Sequence, residues 1–123
     1  MFIILLLLTP SVCSAHIVIN EVMWMGTDLS TADEWLELYN PDQTSVDLSG
    51  YTITSLKSTG ADGMIFTFPS GSIIGPEEYI VIANKAETDS RLAIAPFAVT
   101  TSISLPNSKL LIKLFDQYSV LLD

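Results

Sequence analysis

Carboxylates are the reactive groups this sequence offers most: fourteen Asp and Glu stand against five Lys and Arg, one His and one Cys, giving a formal charge of −9. Seven of those acids, from Glu21 to Asp47, precede the first base, Lys57. Paired carboxylates can act as general acid and base, and Glu21 and Glu37 become such a pair if the strands carrying them lie side by side. Hard oxygen ligands suit Ca²⁺, and Asp28, Asp33, Asp42 and Asp47 fall in the two loops flanking segment 34–40. Neither pattern has diagnostic spacing. Glu34 and Glu37 point to opposite faces of a strand, and no EF-hand spacing is present. Aspartates that shape turns and face water are the plainer account. The expectation is no metal site and no cofactor, with those four aspartates as the calcium candidates.

Other chemistry finds little support. Nucleophilic catalysis needs a nucleophile beside a positioned base, and the one histidine, His16, sits at the expected mature terminus. Zinc sites draw on His and Cys clusters, which are missing here. Ser58-Thr-Gly-Ala-Asp-Gly63 has the glycines of a phosphate loop but an aspartate in place of its lysine, and no helix follows. The acid excess repels nucleic acid, whose binding depends on Lys and Arg neutralising phosphates. Trp24 and Trp35 can stack on a sugar, although burial in a core is the commoner role. No enzyme is expected.

The elements that position these groups are short strands cut by turn residues. Segments 17–23, 34–40, 51–56, 64–68, 79–83, 109–115 and 119–122 carry the β-formers, and 57–63 joins two of them as a hairpin loop. Segment 86–95 reads as a loop with one turn of helix, stopped by Pro96. On the second strand Leu36 and Leu38 oppose Trp35, Glu37 and Tyr39, so both faces are bulky. The first two strands are therefore expected to be central ones, covered on one side by a partner sheet and on the other by loops or aromatic side chains. Strands at this spacing, without long helical patterns between them, predict a sandwich or barrel.

The amino terminus is different. Residues 2–8 are an unbroken apolar run, followed by Thr9-Pro10 and by small residues at Cys13 and Ala15. Residues 1–15 thus read as an export signal, although no Lys or Arg precedes the run. It is too short to span a bilayer, which takes about 20 apolar residues. Lipid attachment at Cys13 would want a leucine where Pro10 stands. Cleavage would leave residues 16–123 without a thiol, so core burial must stabilise them unaided by a disulfide. A secreted or cell-surface location follows, with no membrane span after cleavage. At the other end, 119–122 starts a strand just before the sequence stops at Asp123. An unpaired edge of that kind invites aggregation, so a fragment with an incomplete last strand is expected.

Three blocks occur in order: Ile19-Asn-Glu-Val22, Asp33-Glu-Trp-Leu-Glu-Leu-Tyr-Asn40 and Asp47-Leu-Ser-Gly-Tyr51. Together they resemble the lamin-tail domain of the bacterial, exported type. Ile73-Ile-Gly-Pro-Glu-Glu-Tyr-Ile-Val-Ile-Ala83 resembles a later stretch of that family, with Glu77 where glycine is frequent. The resemblance covers nearly all of 16–123. It implies an all-β, immunoglobulin-like β-sandwich with no enzymatic activity of its own, serving binding or scaffolding at the cell envelope or outside the cell through a protein or envelope partner. It also implies an alternative, the accessory domain of a secreted hydrolase or nuclease whose catalytic part lies downstream. No catalytic residue is carried over from the family.

Overall fold

A computed structural model describes residues 16–57, 59–107 and 109–123; the expected export signal, 1–15, lies outside them. Nine strands occur among the described residues: β1 Val18–Met23, β2 Trp35–Tyr39, β3 Val46–Asp47, β4 Thr52–Leu56, β5 Asp62–Thr67, β6 Ile73–Ile74, β7 Tyr79–Ala83, β8 Ala98–Val99 and β9 Ile112–Phe115. A single 3-10 turn, Glu87–Asp89, lies in the 86–95 segment. Strand β9 begins at Ile112 rather than 109; Lys109 has a φ of 55°, which extended backbone does not tolerate. Segment 119–122 is not a named strand; it turns back on β9 through the bridge Phe115–Leu121 and the Leu122–Leu114 and Val120–Asp116 backbone bonds.

The strands form a four-stranded sheet in the order β1-β2-β7-β8, a three-stranded sheet β5-β4-β9 and a two-stranded ribbon β3-β6. Register follows the apolar pattern. Leu36 and Leu38 face Ile82 and Ile80 across the β2–β7 ladder, and period-2 alternation turns all four inward. There they pack with Ile53, Leu114 and Phe68 in one fully buried cluster. Each such side chain contributes about 1.5–3 kcal/mol on burial, so one shared cluster holds the layers face to face. A second, smaller cluster covers the outer face, where Trp35, Val81 and Ala83 meet Met23 and Leu92. Leu92 comes from the 86–95 excursion, which lies over that end of the sheet.

Strand β2 is therefore central and covered on both faces. The expectation fails for β1, which among the described residues is an edge strand, with β2 as its one ladder partner. A bulge at Asn20 breaks its register, and Asn20 and Glu21 are exposed. Bulges and charges on an edge oppose pairing with another chain. The chain end also reaches β1. After the turn at Asp116, Leu114 exchanges backbone bonds with Leu122 and Asp123, and the Asp123 carboxylate accepts the Ile19 N–H at 2.8 Å. The result is an immunoglobulin-like β-sandwich.

Candidate functional site

The four calcium candidates do not converge. Asp28 is exposed and grips Arg91 with both oxygens, at 2.7 Å to Nε and 2.5 Å to a terminal nitrogen. That hydrogen bond and the guanidinium charge hold its pKa below the usual value. Asp33 is buried, at 1% exposure. Burial by itself would push its pKa up. The hydroxyls of Ser90 and Thr27 and the Arg91 N–H, all donating to it, outweigh burial and hold it down. Asp28 and Asp33 thus share Arg91 and fasten loop 25–33 to the 86–95 excursion. Asp42 accepts the His16 N–H at 3.3 Å. Asp47 caps its own turn through the Ser49 hydroxyl and N–H, which lower its pKa. Among the described residues, no three His, Cys, Asp or Glu gather in a way that could hold a metal ion.

Glu21 and Glu37 do meet. They are directly opposed across the β1–β2 ladder, and the Asn20 amide donates to Glu37 at 2.7 Å. Like charges facing one another across a ladder are destabilising. The pair lies on the outer face of the sheet. Beyond it, Tyr39 and Tyr79 stack with ring centroids 4.3 Å apart and 19° between their planes. Tyr79 is half exposed. This end of the outer face is open, whereas the Trp35 end is covered by the 86–95 excursion. Both tryptophans pack against apolar clusters, Trp35 in the outer one and Trp24 against the main core.

Two buried polar groups that composition does not single out shape a third region. Glu34, 6% exposed, accepts the Leu105 N–H at 2.9 Å through Oε2. Asn84 donates to the Ile103 carbonyl at 2.6 Å. These bonds pin segment 102–106, a strap whose Ile103 and Leu105 enter the main core. Burial raises the pKa of Glu34, and the Leu105 N–H offsets only part of that rise. Between this strap and the β4–β5 hairpin lies a cavity of about 450 Å³. The cavity is lined by the hydroxyl residues Ser55, Thr59, Ser102 and Ser104, and by Lys57. Sequence reasoning had no signal for the strap, because Leu105 lies 71 positions beyond Glu34.

The residues of the family-like blocks also find their places. Asn40, fully buried, donates its amide to the carbonyls of Thr44 and Gly75, both at 2.8 Å, and its side-chain oxygen accepts the Asp42 N–H. Leu48 and Tyr51 are core. Gly50 has a φ of 78° beside Gln117, where a Cβ would be crowded and strained. No helix among the described residues is long and apolar enough to cross a membrane. No curated protein matches the chain significantly. A family model does match it, opening inside the segment that reads as an export signal. It is the model of the Lamin Tail Domain, aligned over residues 11–123, and the chain belongs to that family.

Proposed function

We propose that this lamin-tail domain is an exported, non-catalytic module that binds or scaffolds at the cell envelope or outside the cell. Its contact surface is the open end of the outer sheet face, around Tyr39 and Tyr79. The observation carrying this reading is how the fold uses its acids. The two buried carboxylates, Asp33 and Glu34, are both tied to backbone donors that fasten loops. The Tyr39–Tyr79 stack instead stands on an outer face with solvent over Tyr79. Aromatic side chains with one wet face are favoured contact residues. Export is supported by the apolar run 2–8 and the small residues at 13 and 15.

The test expresses the whole chain, sequences its mature amino terminus and follows it through cell fractionation. The expected result is a terminus at or near His16, with protein held in the envelope fraction or in complex with a partner outside the cell. Tyr79→Ser should weaken that association at least tenfold while costing only about 0.5–1.5 kcal/mol of stability, the worth of an aromatic pair. An uncleaved chain retained in the cytosol, or a folded Tyr79→Ser variant that associates like wild type, overturns the proposal.

A further inference from the structure

The stem of the exposed Lys57 lies across Gly63. Gly63, the ladder partner of Ser55 and diagonal to Lys57 across the β4–β5 hairpin, is buried. Its φ is not among the positive values that would make glycine a backbone requirement. What glycine supplies there is room. A Cβ at position 63 would stand 2.1 Å from Lys57 Cε and 2.9 Å from Cγ, so the lysine stem fills the space a side chain would take. The loop fixes the lysine backbone as well. Its N–H donates to the Ala61 carbonyl at 2.8 Å and its carbonyl accepts the Gly60 N–H at 2.9 Å.

The seated lysine lines the 450 Å³ cavity. No acid among the described residues lines it, although the chain carries fourteen. Among the described residues the ion pairs are Arg91–Asp28 and Lys113–Asp62, and Lys57 belongs to neither. Around it stand the hydroxyl residues Ser55, Thr59, Ser102 and Ser104, with Leu56 and Pro106 as apolar wall. Hydroxyls donate and accept, an ammonium only donates, and a small apolar surface suits the C–H face of a sugar ring. The volume falls within the range of about 300–1,000 Å³ typical of small-molecule sites.

We propose that this cavity binds a sugar or polyol bearing one anionic group, with Lys57 taking the anion and the serine and threonine hydroxyls taking the ligand's hydroxyls. A free carboxylate and a phosphate monoester share that chemistry. The ligand enters between the hairpin and the strap pinned by Glu34 and Asn84. This site is separate from the tyrosine face and does not depend on what binds there.

The test titrates the full chain with glucuronate, glucose 6-phosphate, glucose and inorganic phosphate, following amide shifts by NMR and heat by calorimetry. Glucuronate or glucose 6-phosphate should bind and shift amides of Gly63 and the strap, the tighter one identifying the anionic group. Glucose and inorganic phosphate should each bind at least tenfold more weakly. Lys57→Gln should lose at least tenfold in affinity for the anionic sugar. Gly63→Ala keeps the charge but takes the lysine's seat, and should lose a comparable factor. Lys57 is exposed, so Lys57→Gln stays informative even if Gly63→Ala fails to fold. The proposal is overturned if neither anionic sugar binds at tens of millimolar. It is equally overturned if Lys57→Gln binds as wild type does, or if glucose or inorganic phosphate alone binds as tightly.

Discussion

Glu34→Gln should stabilise the fold at neutral pH even though it replaces a charged acceptor with a neutral one. Glu34 is 6% exposed, and its Oε2 accepts the Leu105 N–H at 2.9 Å. Burial raises its pKa above the ordinary 4.5, and one N–H donor does not restore it. Between 4.5 and the raised folded value, the folded chain therefore holds more protons than the unfolded chain. Stability falls as pH rises through that window and stays reduced at neutral pH, where the carboxylate is ionised in both states. Glutamine keeps an oxygen for Leu105 and carries no charge. The hydrogen bond weakens from about 1.5–3 kcal/mol to about 0.5–1.5 kcal/mol. Against that, the desolvation penalty of a buried ion, several kcal/mol when uncompensated, disappears. Because the pKa is raised, desolvation is the larger of the two effects. The balance is a gain of about 1 kcal/mol near pH 7, about 4 °C in Tm for a domain of this size. Thermal and urea melts of both proteins from pH 4 to pH 8 check it. The two curves should converge toward pH 4.5 and separate above it. A variant less stable than wild type at pH 7, or a gap that does not close in acid, refutes the reasoning.

Asp33→Ala removes the acceptor shared by Thr27, Ser90 and the Arg91 N–H. It should cost about 2–4 kcal/mol and loosen the cover over Trp35, which denaturation and a red shift of tryptophan emission would record. Glu77→Gly should add about 0.5–1 kcal/mol in a urea melt. The residue holds a φ of 53°, which costs a side chain about 1–2 kcal/mol, partly offset by glycine's greater freedom when unfolded. Millimolar Ca²⁺ should leave Tm unchanged. A rise with calcium that chelator reverses would contradict the assignment of Asp28 and Asp33 to Arg91 and to neighbouring hydroxyls.

Local alternation made much of the fold legible. The parity of Leu36 and Leu38 against Trp35 and Tyr39 told which side chains enter the core, and the glycines of 57–63 marked the hairpin. The Glu21–Glu37 encounter followed from pairing two adjacent strands. The position of β1 did not, because bulky residues on both faces suit a central strand and also an edge strand lying under a chain end. Strands β3, β6 and β8 span two residues each, too few for a period to register. Glu77 was visible as a departure from a glycine position, and its φ supplies the reason. The candidate sites were less legible. Lys57 and Gly63 are neighbours only through the hairpin, and the strap is held by partners 71 and 19 positions away.

Adjacent carboxylates at the start of β2 carry opposite pH responses, and the cause is the number of donors each meets. Asp33 and Glu34 are both buried. Three donors hold Asp33 ionised, whereas one donor leaves Glu34 dominated by burial. Alternation sends their side chains to opposite sides, so Asp33 fastens the outer 86–95 excursion and Glu34 the strap. Protonating Asp33 below its ordinary 3.8 loses the stability its ionised form provides, while protonating Glu34 as pH falls toward 4.5 relieves the cost of its buried charge. The two segments should therefore respond separately to acid. Between pH 7 and pH 4.5, hydrogen exchange at Leu105, corrected for intrinsic rates, should become more protected while that at Arg91 stays constant. Below pH 3.8 the Arg91 amide should lose protection first. Parallel changes at both amides across the whole range would show that the sandwich responds as one unit and that neither carboxylate acts locally.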